Sequence, residues 1–430
     1  MLDPITLKYA TAIVFVLTYA LIVRYYNKKV WVIWVGVLFA FLLGAVNSDS
    51  AWTSVNWDVI GIYVGMLLIA EALVESRMPD FVAIWVTNKS KKVWSAMLFV
   101  CAVTGVLSIV IENVACVLIV APIAFSIAKR IRVSPVPMII GAAVSSNLQG
   151  VATLIGDPPS MLLAGHAGLN FNDFFIFQGK PGLFFAVQLG MIASLVVLYF
   201  FFRHHNHDVH TVKEVKIKSK FPSIVLAAMI VALAFSSSLK EGNGYSIGLI
   251  CMVFGVISLV WLLRENRKRE KSLARTIFRM DWGTAFFIIA VFIMVESLTS
   301  TGLIADIAKG IFSITGSNVF FAFITIVVIS MMLSAFVDNV PYIVAMLPVT
   351  QLIAEQAAAS PYVLYFGLLI GASVGGNITP VGASANIVGV GLLKNRGYAT
   401  TFWEFVKIGL PFTFFSVLIS AGYIWLMYGF

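Results

Sequence analysis

The chain has 430 residues, of which 60% are hydrophobic and only 11% charged, with a mean hydropathy of +0.96. Soluble domains carry about 25% charged residues, so a soluble fold of this length would lack the polar side chains needed to cover its surface. The composition describes a polytopic membrane protein of helices. It excludes a soluble enzyme, a disordered regulator and a disulfide-stapled secreted domain.

Apolar stretches long enough to cross a bilayer recur along the whole chain. Spans are read at 9–23, 30–46, 57–75, 136–156, 181–202, 222–239, 244–263, 282–299, 361–383 and 408–428. Two longer stretches, 93–128 and 317–356, are interrupted near their middles by Glu112-Asn113 and Asp338-Asn339. They read as re-entrant hairpins, because a polar tip at membrane depth is tolerated where it lines a cavity. Continuous rather than alternating apolar runs argue against a β-barrel. The opening MLDPITLKYA lacks a basic n-region and a cleavage site, so the first span is read as retained.

The basic residues orient these spans. Placing Arg24–Lys29 in the cytoplasm puts 77–92, 129–132, 203–220, 264–279 and 394–407 there too, and together these segments hold 25 of the 29 Lys and Arg. Only Lys8, Lys180, Lys240 and Lys309 fall on the other side. That asymmetry follows the positive-inside rule and makes both termini extracytoplasmic. The net charge of +9 is therefore a topology signal, and no nucleic-acid partner is expected.

The chain also repeats itself. Trp57 and Glu71 align with Trp282 and Glu296 at an offset of 225, and Glu112-Asn113-Val114 with Pro122 aligns with Asp338-Asn339-Val340 with Pro348 at 226. Gly150, Thr153, Gly156 and Ser160 keep that register with Gly376, Thr379, Gly382 and Asn386. The reading is a first repeat over 1–202, a basic linker over 203–221 and a second repeat over 222–430. Five spans plus one hairpin per half is an odd count, so the second copy is inverted. Inverted repeats with broken helices are the architecture of secondary transporters, whose substrate sits between the halves.

In both copies a polar tip is followed by a break rich in Gly, Thr and Pro, at 150–160 and 376–386. Broken helices present unpaired N–H groups to anions and unpaired C=O groups to cations. The candidate substrate and ion ligands are Glu112, Asn113, Thr153, Gly156, Asp157, Asp338, Asn339, Asn377, Thr379, Gly382 and Asn386. Intramembrane carboxylates are costly and point to ion or proton sites. Glu112 and Asp338 rank first for coupling and Asp157 next; for Glu71 and Glu296 a structural role is the competing reading. The competing reading of the breaks is that they merely cap and kink helices.

Other signals are weak. His204, His205, His207 and His210 form a juxtamembrane cluster that reads as a solvated loop, and Cys101, Cys116 and Cys251 lie in apolar runs without metal spacing. No hydrolase, Walker or dinucleotide motif occurs in a usable context, so an enzyme is not expected. Neither is a metal or a cofactor, beyond a proton or sodium as coupling ion.

At TLIGDPPS (153–160), FVDNVPYIVAMLPV (336–349), GGNITPVGASANIVGVGL (375–392) and FWEFVKIGLPF (402–412), the chain resembles the ion transporter superfamily. That group includes arsenite/antimonite efflux permeases, D-type sodium/proton antiporters and dicarboxylate/citrate carriers. Within it the chain is most similar to the melanosomal P protein and its prokaryotic relatives in the arsenite-permease family. The resemblance implies a scaffold, a moving transport domain, and Asn113, Asn339, Thr153 and Thr379 lining substrate and ion sites. Two departures stand out. Dicarboxylate carriers have Ser-Asn-Thr at the tips, where this chain has acids, and Ser160 stands where the P-protein pattern has Asn.

The expected function is proton- or sodium-coupled transport of a small inorganic solute, arsenite-type efflux first, in the plasma membrane. A sodium/proton antiporter is the main alternative, with a dicarboxylate/citrate-type carrier and an anion channel behind it. The lipid bilayer and the solute are the expected partners, and a homodimer and a cytoplasmic ATPase partner stay open.

Overall fold

The computed structural model describes residues 3–25, 28–131, 133–206, 215–237, 246–267 and 280–430. Among them the fold is all-helical, with one two-residue β-hairpin. In chain order the helices are α1 (Pro4–Arg24), α2 (Lys29–Leu43), α3 (Ser48–Ser54), α4 (Trp57–Ser76), α5 (Met78–Asn88), α6 (Val93–Ser108) and α7 (Asn113–Ile131). Next come α8 (Val136–Gly150), α9 (Pro158–Ala167), α10 (Leu183–Phe202), α11 (Phe221–Ser237), α12 (Ile247–Arg267) and α13 (Trp282–Ser300). The last six are α14 (Leu303–Thr315), α15 (Val319–Ser334), α16 (Asn339–Gln356), α17 (Tyr362–Gly375), α18 (Ser384–Asn395) and α19 (Phe402–Tyr428).

Six of these helices, α1, α4, α10, α12, α13 and α19, are long and apolar enough to cross a bilayer as single helices, and α14 with α15, bent by 120°, counts as a seventh if the pair is one broken span. Four of the ten sequence-read spans are not single helices of that length. The stretches at 136–156 and 361–383 are not continuous helices: α8 stops at Gly150 and α17 at Gly375, where the Gly/Thr/Pro breaks begin. Helices α2 and α11 have 15 and 17 residues, just short of a full crossing. The two interrupted stretches each resolve into two helices: α6 and α7 around Glu112, and α15 and α16 around Asp338. At 16 residues, α6 and α15 are about 24 Å long, less than the hydrocarbon thickness.

Five short helices, α3, α5, α9, α14 and α18, are absent from the sequence reading, which looked only for long apolar runs. So is the β-hairpin pairing Ile176–Phe177 with Lys180–Pro181. Gln178 and Gly179 join its strands with φ of 52° and 75°, the left-handed pair a type I′ turn requires.

The helix starts repeat. α6, α7, α8 and α9 begin at 93, 113, 136 and 158, and α15, α16, α17 and α18 begin at 319, 339, 362 and 384, each 226 later. The caps follow: Asn56 caps α4 through the Val59 N–H at 3.2 Å, and Asp281 caps α13 through the Thr284 N–H at 3.2 Å. Pro122 lies inside α7 and Pro348 inside α16.

Packing interleaves the two sets. α9 packs on α16 and α17, and α18 packs on α7 and α8. α4 and α12 cross closely, because Gly61 and Gly65 face the Gly248 and Cys251 backbones and leave no room for a Cβ. Polar contacts tie distant segments together. Lys218 pairs with Glu75 at 2.7 Å, and the Trp94 N–H donates to the His205 carbonyl. Lys8 pairs with Asp306, and Asn172 donates to the Ala234 carbonyl. Lys240, His207 and His210 lie outside the described residues.

Candidate functional site

The centre of the molecule is a chain of buried amides. Asn113 at the first tip donates to the Asn147 Oδ1 at 2.9 Å, and Asn147 Nδ2 donates to Asn377 at 2.7 Å and to Asn386 at 3.0 Å. Asn386 in turn donates to the Gly376 and Thr379 carbonyls, and Asn377 to the Val144 carbonyl. Three expected site residues, Asn113, Asn377 and Asn386, thus meet through Asn147, which the sequence reading missed. Its signal was there: Ser145, Ser146, Asn147 and Gln149 are a polar run inside an apolar stretch, and all four are buried.

Each break is tied to the turn between the two helices of its interrupted stretch, α6–α7 and α15–α16. Thr153 Oγ donates to the Ile109 carbonyl at 2.5 Å, and Thr379 Oγ donates to the Ala335 carbonyl, the same pair one repeat later. Gly156 packs on the Gly150 carbonyl and Gly382 on the Gly376 carbonyl, where a Cβ would overlap the oxygen. The breaks are held closed by Gly–carbonyl contact, a geometry only glycine permits.

The three highest-ranked acids all cap helices. Glu112 accepts from the Ala115 N–H at 3.0 Å, Asp338 from the Val340 N–H at 3.2 Å, and Asp157 from the Ser160 N–H at 3.2 Å. Capping accounts for one oxygen of each. The second Asp157 oxygen is buried without a hydrogen-bond partner among the described residues. The second Asp338 oxygen accepts from Lys29 at 2.8 Å, in a pair whose side chains are only 14% and 5% exposed. Asp338 therefore does not join the amide cluster. Asn339, beside it, is buried.

Glu71 and Glu296 line two separate crevices. The first, about 150 Å³, is lined by Tyr63, Glu71, Glu112, Leu118 and Asp281 among others. Glu71 and Asp281 are the carboxylates that line it with Glu112. The second crevice, about 300 Å³, includes Asn56, His166, Glu296, Thr299 and Val344. Glu71 and Glu296, Asp281 and Asn56, and Leu118 and Val344 are pairs separated by 225 or 226 positions, so aligned residues line both crevices. Among the described residues neither is lined by Lys or Arg. Asp281 was missed because it falls between the basic segment 264–279 and the span read from 282, yet it caps α13 and lines the crevice of the first tip.

Comparison with known proteins agrees with this architecture. A solved transporter, YdaH of Alcanivorax borkumensis, superposes with a TM-score of 0.59 over 89% of this chain and 90% of its own, at 15% identity. MtrF of Neisseria gonorrhoeae, described as one of a class of antimetabolite efflux pumps, superposes with a TM-score of 0.56 over 86% and 81%, at 13% identity. At these identities the likeness is one of fold. By sequence, an uncharacterized transporter of Mycobacterium tuberculosis is 30% identical over 96% of this chain and 97% of its own length. The P protein of Mus musculus is 22% identical over 86% of this chain and 54% of its own length. A citrate transporter family profile matches residues 13–371 and 279–430. With helices long and apolar enough to span, a buried amide cluster joining α8 to the second break, and relatives that are transporters rather than enzymes, the chain belongs to the CitMHS citrate transporter family of membrane transporters.

Proposed function

We propose that this protein is a secondary active transporter that exports a small, weakly charged inorganic solute of the arsenite or antimonite type. A proton or sodium gradient drives the cycle. In this reading the halves 1–202 and 222–430 are inverted about the 203–221 linker, both termini lie outside the plasma membrane, and the two crevices serve as access routes on opposite sides. Asn113, Asn377 and Asn386 contact the solute, and Glu112, Asp157 and Asp338 carry the coupling charge.

The charge of the site carries this reading. Carboxylates stand at both tips and at the first break, no Lys or Arg among the described residues lines either crevice, and the ammonium at the second tip is already paired. Bringing a bare di- or trianion against these acids costs several kcal/mol at an effective dielectric near 20 (about 4 kcal/mol per unit pair at 4 Å). A neutral acid or a coupling cation meets no such barrier.

A second reading, citrate transport, is favoured by the description of the family itself. It requires the anion's charge to be offset by accompanying cations. The two are separated by flux in proteoliposomes under imposed pH and sodium gradients, with arsenite, antimonite and citrate as solutes. Arsenite or antimonite flux that falls in Glu112→Gln or Asp338→Asn supports the first reading. Citrate flux alone supports the second, and full flux in both variants removes the acids from coupling. Proton movement on a sodium pulse without any solute would instead make the protein a sodium/proton antiporter.

A further inference from the structure

We infer that Lys29 is a tethered counter-cation, whose ammonium sits in a monovalent-cation site at the second tip and competes with a diffusible cation for Asp338. Three observations meet there. Lys29, the first residue of α2, reaches across the fold to a capping carboxylate that belongs to α16, and both partners are nearly buried. The Lys29 ammonium also lies over the Phe287 ring of α13, 4.7 Å from its centroid. The Tyr19 hydroxyl of α1 is buried, has no hydrogen-bond partner among the described residues and lies within electrostatic reach of Asp338.

A carboxylate, a phenolic oxygen and an aromatic face form a place for a monovalent cation. The first tip differs. Glu112 shares its crevice with Asp281 and Tyr63, and no Lys or Arg among the described residues lines it. Among those residues the repeat keeps the acid at both tips and sets a lysine ammonium against the second. Removing one partner of a buried ion pair leaves an uncompensated charge, so Asp338 parts from Lys29 only when another cation or a proton replaces it. That exchange links ion binding to movement of α16 relative to α2. The inference rests on the tips being ion sites, as proposed above. It is read from cation binding rather than flux, so loss of gradient-driven flux would remove the transport reading and leave this one standing.

The test is the thermal midpoint of detergent-purified full-length protein, titrated with NaCl against choline chloride at constant ionic strength and pH. In wild type the Na⁺-dependent rise is weak and disappears in Asp338→Asn. In Lys29→Gln it is expected to half-saturate at roughly tenfold lower Na⁺ and to raise the midpoint by about 2 °C or more at saturation. The gain should vanish in Lys29→Gln/Asp338→Asn and be absent from Lys29→Arg, which keeps the charge. If Lys29→Gln folds only in NaCl, that salt rescue is itself the expected result. A response of Lys29→Gln equal to wild type, a gain that survives in the double variant, or a wild-type response untouched by Asp338→Asn overturns the inference.

Discussion

Asn147 Nδ2 donates to Asn377 Oδ1 across 2.7 Å, joining α8 of the first half to the break of the second. The two residues are 230 positions apart, and both are fully buried. Asn147 is the hub of the cluster, since it also receives Asn113 and donates to Asn386.

Replacing Asn147 by Leu should therefore act on both halves at once. Each buried amide left without its partner costs about 1–3 kcal/mol. We expect a lower melting midpoint in detergent and a loss of solute flux larger than that of Gln149→Leu. The Gln149 side chain, at the edge of the first break, pairs with Gln188 of α10 rather than with the second break.

Glycine contact at the breaks gives a second expectation. Gly156→Ala and Gly382→Ala each drive a methyl group into a backbone carbonyl, which cannot swing aside as a side chain would. Overpacking of this kind costs about 1–3 kcal/mol. Gly310→Ala is the control: its Cβ meets nothing within 4 Å, and α14 should tolerate it with a change below about 0.5 kcal/mol. Melting curves of the three variants check the contrast.

The paired threonines can be tested by exchanging a single hydroxyl for a methyl group. Thr153→Val and Thr379→Val keep the shape and lose the hydroxyl that holds the hairpin turn. Each should cost about 1 kcal/mol or somewhat more, because a buried carbonyl loses its donor. Thr153→Ser and Thr379→Ser should retain most of the stability. Equal melting of the Val and Ser variants would remove the hydroxyls from the account.

Asp173, in the loop between α9 and α10, provides a pH test. Burial raises its pKa above the ordinary carboxylate value, against a hydrogen bond from the Asn170 N–H at 2.7 Å. A folded-state pKa above the unfolded one stabilises the fold when the group is protonated, and that contribution is lost as pH rises through the raised value. Because the group is about half-exposed, solvent screening keeps the effect small. Asp173→Asn, which keeps an acceptor oxygen, should raise the melting midpoint at pH 7.5 relative to wild type and close that gap near pH 4.

Much of the plan was legible in one dimension. Composition placed the chain in a membrane, and the 226-residue register located both interrupted stretches and both breaks. The Gly, Pro and Asn content of those breaks marked where α8 and α17 stop. The short helices escaped because a helix of about ten residues packed among longer ones leaves no long apolar run. α14 illustrates this: Ile304 and Ala308 are buried while Ile307 and Ile314 are exposed, a helical stripe too short to be read as a span.

The sequence by itself determined which groups are chemically costly in a membrane: the tip acids, the asparagines of the tips and breaks, and the glycines that let backbone approach backbone. Only the tertiary structure decided their partners. Lys29 and Asp338 are 309 positions apart, yet they form a buried pair, while Glu112 shares a crevice with Glu71 and Asp281 instead. The reason is physical. Helices apolar on all sides carry no periodic signal of which face turns inward, so the neighbours of a polar side chain are set by rotation and crossing of helices. Those are fixed by close contacts such as Gly65 on Cys251, which appear only once the whole bundle is packed.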